Sequence, residues 1–301
     1  MRLLVTGATG FIGIHTVAAL AAEGHDVVSS SRAGVGPAGS SRHVAHDVGS
    51  AVPFPEVGRL DAIIHLAGNG NVVDARRDPR AIAQINAQGT LNMLCVAREH
   101  HARFVLASSQ RVYRPRPGFI TEADPPDPSE PYGYTKRAAE LYVELAARCF
   151  GVPAAILRLF TVYGPGQVIS SGISGVVAIL GQRALQGEPM IVMAQQRKDF
   201  VEVSDVVTSL GLAVRGAATP PPTYNIGTGQ PTSVLELAQT VKAVTGTSSP
   251  IVEEYSEGVV PDQVADIARA RRELGFTPRV SLEEGLERYV AWLRSARPRP
   301  A

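Results

Sequence analysis

The chain has 301 residues, 45% of them hydrophobic and 19% charged, a balance that supports a buried core and excludes compositional disorder. Its 29 Lys+Arg against 28 Asp+Glu leave a formal charge of +1, without the bulk positive field of a nucleic-acid or anionic-membrane binder. Only Lys136, Lys198 and Lys242 are lysines, so nearly all positive charge is arginine.

The first predicted strand, Leu3–Thr6, runs into Thr6-Gly7-Ala8-Thr9-Gly10-Phe11-Ile12-Gly13 and then a helix over Ile12–Glu23. Glycines three apart at a first strand–helix junction allow a tight turn, backbone approach to a pyrophosphate and close helix–strand packing, so this segment reads as a dinucleotide-binding turn. The second strand, Asp26–Ser30, leads into Ser31 and Arg32 where a carboxylate would otherwise bond a ribose 2′-OH. A guanidinium there suits a 2′-phosphate, which favours NADP(H) with NAD(H) as the alternative. The third strand, His43–His46, delivers Asp47, placed to receive an adenine amino group but equally able to form a turn.

A strand at Ala62–Leu66, a helix over Ile82–His100 and a strand over Arg103–Ser108 continue the alternation, which predicts an α/β, doubly wound parallel sheet. Ser108 and Ser109 fall at the carboxyl end of their strand, the side on which such sheets bind ligands. Pro131 opens the next helix, Tyr132–Phe150, and Gly151 closes it. Tyr132 and Lys136 share one face of it, and an ammonium fixed near a phenol would lower a pKa that starts near ~10. With eight tyrosines and three lysines in 301 residues, a chance Tyr-x-x-x-Lys has an expectation of roughly 0.08.

Cys95 and Cys149 lie in helical patterns and read as buried free thiols, with no disulfide expected. No metal site is expected. After the strand Ala154–Leu159 the elements shorten, and the sequence divides into a nucleotide-binding part, 1–165 with about 200–226, and a smaller C-terminal substrate-binding lobe, 166–199 with 227–301. The tail Arg297–Ala301 reads as a frayed end. Without an h-region, a cleavage site or an 18-residue apolar run, the expected location is the cytoplasm, with no membrane or nucleic-acid partner.

Beyond these local readings, TGATGFIG (Thr6–Gly13), HLAG (His65–Gly68), INAQGTLNML (Ile85–Leu94), SSQRVY (Ser108–Tyr113), PYGYTK (Pro131–Lys136), LRLFTVYGPGQ (Leu157–Gln167), DFVEVSDVV (Asp199–Val207), YNIGTG (Tyr224–Gly229) and LGFTPRVSLEEGL (Leu274–Leu286) together resemble the extended short-chain dehydrogenase/reductase family, in its nucleotide-sugar epimerase/dehydratase branch. The resemblance implies a Rossmann-type sheet and nucleotide contacts from Gly7, Thr9, Gly10, Phe11, Ile12, Gly13, Ser31, Arg32, Asp47, Val48, Leu66, Ala67, Gly68, Asn86, Ser108, Tyr132 and Lys136. It further implies that Ser109 holds the reacting sugar oxygen, Tyr132 exchanges its proton, and Lys136 binds the nicotinamide ribose. Thr161, Gln167 and Arg197 would meet the substrate, with Val72, Arg76 and Ser170 among residues setting the sugar.

Three departures qualify it. Gln110 and Arg111 stand where dehydratases of the branch carry Asp and Glu, against water loss. Thr161 replaces an Asn, and the stretch Tyr255–Asp262 lacks an expected arginine, leaving Arg197 or Lys198 as the basic residue for a diphosphate. The leading reading is a 4-ketoreductase using NADPH on a nucleotide-linked keto sugar, with Tyr132 as acid. A nucleotide-sugar 4-epimerase with tightly held NAD is the alternative, followed by a non-enzymatic dinucleotide sensor and a reductase of other small carbonyls. Pairing through the helices around Leu91–His100 and Lys136–Phe150 predicts a homodimer.

Overall fold

A computed structural model describes residues 1–168, 175–255 and 262–296. Seven strands form one parallel sheet: β1 (Arg2–Thr6), β2 (Asp26–Ser31), β3 (Arg42–Ala45), β4 (Ala62–His65), β5 (Arg103–Ser109), β6 (Ala154–Leu159) and β7 (Thr223–Ile226). They run β3-β2-β1-β4-β5-β6-β7 across the sheet. The direction of winding reverses between β1 and β4, and a crevice opens beyond the carboxyl ends of strands at such a reversal.

Both faces are covered. On one, Val17 and Leu20 of helix α1 (Phe11–Ala22) pack with Leu3, Val105 and Leu157 of the sheet. On the other, Met93 and Leu94 of α2 (Gly89–Glu99) and Val143 of α3 (Pro131–Phe150) pack on Leu4, Ile63 and Phe104. The interiors of the central strands β1, β4, β5 and β6 are buried from both sides, which is why they read as largely continuous apolar runs rather than alternating ones. A separate apolar cluster joins α4 (Val176–Gln186), α6 (Val234–Thr245) and α7 (Leu282–Ala296) around Leu180, Leu237, Leu286 and Tyr289. The intervening α5 (Val203–Gly216) returns to the sheet, where Val206 and Leu210 join the first face.

The helix expected over Ile82–His100 is interrupted. A short helix, Pro79–Ala83, passes through a π turn at Gln84–Gln88 before α2 begins. The extra residue per turn seats Gly89 against Val48, where a Cβ would fall 2.7 Å from Val48 Cγ2, and it turns Asn86 into the interior. Insertions of this kind cluster at functional sites. The cysteines also differ from expectation: both are free, but Cys95 and Cys149 are exposed because they sit on the outward sides of α2 and α3. Among the described residues no helix is long and apolar enough to cross a membrane. Ser170 and the tail Arg297–Ala301 lie outside the described residues.

Candidate active site

The turn after β1 is shaped for close backbone approach. Gly7 has φ +67°, and a Cβ on it would stand 2.6 Å from the Ala67 amide nitrogen. On Gly13 a Cβ would meet the Gly7 carbonyl at 2.2 Å, so α1 can touch the turn only with glycine there. The helix starts without a side-chain cap and without an acidic residue in its first turn, leaving its first N–H groups and positive dipole end for an anion. Replacing Gly13 by Ala is expected to push α1 off the turn at a cost of about 1–3 kcal/mol, read as a lower melting temperature and weaker nucleotide binding in a fluorescence titration.

Beyond this turn lies a cavity of about 380 Å³ lined by Gly7, Thr9, Gly10, Ser31, Arg32, Asp47, Val48, Leu66, Ala67 and Gly68, all of them singled out from the sequence. Ser30, Ala33, His46, Asn69 and Ile85 complete the lining. Sequence reasoning passed over these, since nothing in their type distinguishes them before the loops are folded. Arg32 is exposed at this lining. The Asp47 carboxylate accepts the Gly49 N–H at 2.9 Å, so it caps its own turn while also facing the cavity.

A smaller cavity of about 150 Å³ continues past Leu66, Gly68 and Asn69 to Ile12, Gly70, Ala107, Ser108, Tyr132, Lys136 and Leu159. Its shape rests on polar ties. The Thr6 hydroxyl meets His65 Nδ1 at 2.8 Å and accepts the Ala67 N–H at 3.2 Å, fixing the chain beyond β4. Asn86 accepts the Asn69 N–H at 2.8 Å while donating to Asn69 O at 3.1 Å and Thr135 Oγ1 at 2.9 Å, which clamps that loop to α3. His65 is buried beside the Lys136 charge, and both effects hold its pKa down to about 3, so it stays neutral.

Glu130 caps α3 by accepting the Tyr132 and Gly133 N–H groups, with Pro131 in the first helical position. That start directs Tyr132 and Lys136 to the cavity. Lys136 Nζ donates to Ala107 O at 2.7 Å. Burial lowers its pKa to about 8, with Glu140 opposing. The Tyr132 phenol differs from the expectation of a lowered pKa. Burial raises it, and the partial relief comes from a hydrogen bond with Ser109 and the charge of Arg111, not from Lys136. The ammonium is drawn to the Ala107 carbonyl, and one turn of helix does not by itself bring it onto the phenol. Gly70 leaves space beside the hydroxyl, since a Cβ there would be 3.9 Å from Tyr132 Oη.

Among the expected substrate contacts, Thr161 accepts a hydrogen bond from Gln110 Nε2 at 3.3 Å, and Gln167 donates to Val162 O at 3.1 Å. Arg197 is held elsewhere. Its guanidinium forms a two-point pair with Asp262 at 3.1 and 2.7 Å on a side chain 52% exposed. Residues adjacent on a strand face opposite ways, and the neighbouring Lys198 is the inward cation, with a pKa lowered to about 8 by burial and by Arg111. Phe11 meets His15 edge-on rather than lining either cavity.

The winding of the sheet, the uncapped glycine turn and a Ser–Tyr–Lys set at the end of β5 and the start of α3 define a nucleotide-binding oxidoreductase fold. The chain matches the NAD dependent epimerase/dehydratase family over residues 3–227, and it belongs to that family of enzymes. It is 32% identical to a putative UDP-glucose 4-epimerase of Methanocaldococcus jannaschii, across 97% of this chain and 98% of that one. Among solved structures it is similar to the UDP-glucose 4-epimerase of Thermotoga maritima with UDP-glucose, at 30% identity, TM-score 0.86 and coverage of 98% and 99%. It is also similar to MoeE5 in complex with UDP-glucuronic acid and NAD, at 32% identity, TM-score 0.87 and coverage of 98% and 100%.

Proposed function

We propose that this protein is a nucleotide-sugar 4-epimerase that keeps NAD bound, with the cavities at the β1 turn and at Tyr132 holding the two ends of the nucleotide. The carrying observation is the convergence of Tyr132 and Lys136 on the small cavity at the end of β5, which shares Leu66, Gly68 and Asn69 with the cavity that begins at the glycine turn. The relatives support an epimerase more directly than the ketoreductase favoured from sequence, because two of the three named are described as UDP-glucose 4-epimerases and the third structure contains NAD.

Bound nucleotide supplies the hydride acceptor and, on return, the donor. The chain does the rest: Tyr132 takes the proton from the sugar 4-hydroxyl and gives it back, while Ser109 holds that oxygen in line. Lys136 fixes the nicotinamide ribose and keeps positive charge next to the site. Gln110 and Arg111 in place of an acid–base pair leave no side chain to expel water from the sugar, consistent with epimerisation rather than dehydration. The two-part division of the chain belongs to this reading, supported by the separate apolar cluster around Leu237 and Tyr289. So does a homodimer, supported by Leu141, Leu145 and Phe150 left exposed on α3.

One observation favours a second reading, the NADPH-dependent 4-ketoreductase. Ser31 and Arg32 line the nucleotide cavity where β2 ends, and no carboxylate ends that strand. Protein purified without added nucleotide and denatured should release NAD, and should convert UDP-glucose to UDP-galactose without exogenous nucleotide. An empty site, at least tenfold preference for NADPH, and NADPH oxidation by a 4-keto sugar nucleotide would replace the epimerase with the ketoreductase.

A further inference from the structure

We propose that His15, on the helix that takes the nucleotide, is a positioning residue for the sugar substrate: its hydrogen bond to the Pro165 carbonyl sets the turn Gly164–Gln167, which leads into the C-terminal lobe. The proposal rests on the functional reading above and adds to it a residue that the proton and hydride steps do not use.

Helix α1 is apolar along its length except for His15 and Thr16. The Thr16 hydroxyl donates to Ile12 O at 2.8 Å, inside the same helix. Among the described residues, the one side-chain hydrogen bond that leaves α1 is therefore that of His15, whose Nε2 lies 2.7 Å from Pro165 O. A carbonyl only accepts, so Nε2 carries the proton and donates. The Phe11 ring backs the imidazole edge-on, with centroids 6.1 Å apart.

The receiving turn is built to be held in this way. Pro165 has no N–H, and among the described residues its carbonyl accepts from His15 alone. The Gln167 N–H donates to Gly164 O at 3.2 Å and closes the turn. Gly166 takes φ +88°, and a Cβ there would lie 3.2 Å from Ile14 Cδ1 and 3.7 Å from Phe11 Cδ2, so the turn lies against the first turns of α1. Ile12, next to Phe11, lines the cavity at Tyr132. On the other flank α7 holds the turn, where Tyr289 Oη donates to Gln167 O at 2.9 Å. Four residues thus join the nucleotide helix to the C-terminal apolar cluster, with one side-chain hydrogen bond from each.

Two observations assign this joint to the sugar substrate and not to the nucleotide. The cavity at the β1 turn is lined by none of residues 164–167, and His15 lines neither that cavity nor the one at Tyr132. The turn also carries an unfilled acceptor. Gln167 Nε2 donates to Val162 O at 3.1 Å, whereas Gln167 Oε1 is buried and has no donor among the described residues. A buried acceptor left open costs stability until a hydroxyl or N–H of a ligand meets it.

Calorimetric titration of the full chain with UDP-glucose, beside the NAD released on denaturation, tests the role. His15→Leu removes the donor and should weaken UDP-glucose about tenfold, with released NAD equal to wild type and a melting temperature within about 4 °C of it. His15→Gln places an amide N–H at a similar reach and should restore affinity to within threefold of wild type. Turnover at saturating UDP-glucose should stay within threefold in both variants, so that KM rises without a fall in kcat. Unchanged UDP-glucose affinity in His15→Leu overturns the proposal, as does an equal loss in the Leu and Gln variants. Loss of NAD from His15→Leu overturns it too, since α1 itself has then failed. If the calorimetric pattern appears but the wild type converts no UDP-glucose, the positioning role stands and the epimerase reading falls.

Discussion

Tyr132→Phe should lower turnover by about 10²–10⁴-fold, with NAD affinity within twofold of wild type. The substitution deletes one oxygen and leaves the ring to line the small cavity with Leu159, Ile12 and Gly70. What is lost is the phenolic oxygen, the atom proposed to exchange the proton of the sugar hydroxyl. Lys136 keeps its own anchor on Ala107, so the nucleotide end of the site stays formed. Steady-state kinetics beside a nucleotide titration separates these effects. Turnover within a factor of three of wild type would remove Tyr132 from the chemistry.

Glu140→Leu should destabilise the fold by about 3–5 kcal/mol, measured by denaturant unfolding. Glu140 is fully buried on α3 and accepts hydrogen bonds from Arg158 Nε at 2.9 Å, Arg158 Nη2 at 2.8 Å and Ser108 Oγ at 2.7 Å. Arg137 reaches it at 3.1 Å from the helix surface. Arg158, buried on β6, continues the network to Tyr113 Oη at 2.7 Å, which donates to Asn225 on β7 at 2.8 Å. Removing the carboxylate leaves a buried guanidinium without its counterion, the costly half of breaking such a pair. A Glu140→Leu/Arg158→Met double variant should therefore lose less stability than Glu140→Leu alone, because the stranded charge goes too. Ser108, which precedes Ser109, also loses its acceptor, so the double variant should still turn over more slowly than wild type.

Local patterns in the sequence were enough for the parallel sheet, the glycine turn and the Tyr132–Lys136 pair. These features depend on short-range rules: apolar runs for strands buried on both faces, glycine where backbone must approach backbone, and four-residue spacing for one helix face. The ten expected residues that line the larger cavity, several of which only the family resemblance implied, follow strand ends of the sheet.

What only the tertiary structure decided depends on contacts between distant segments. Nothing local marks the π turn at Asn86, because it is set by the fit of Gly89 to Val48 and of Asn86 to Thr135 on α3. Thr223–Ile226 is a short run that becomes β7 through its pairing with β6. Adjacent in sequence and alike in charge, Arg197 and Lys198 differ in fate because strand geometry gives one to Asp262 and turns the other inward, where burial lowers its pKa. The Tyr132 phenol follows the same rule: spacing put a lysine on its face, but burial and the neighbours brought in by β5 set its acidity. Sequence carries the identity and order of the chemical groups, whereas desolvation and pairing energies exist only once the chain has closed around them.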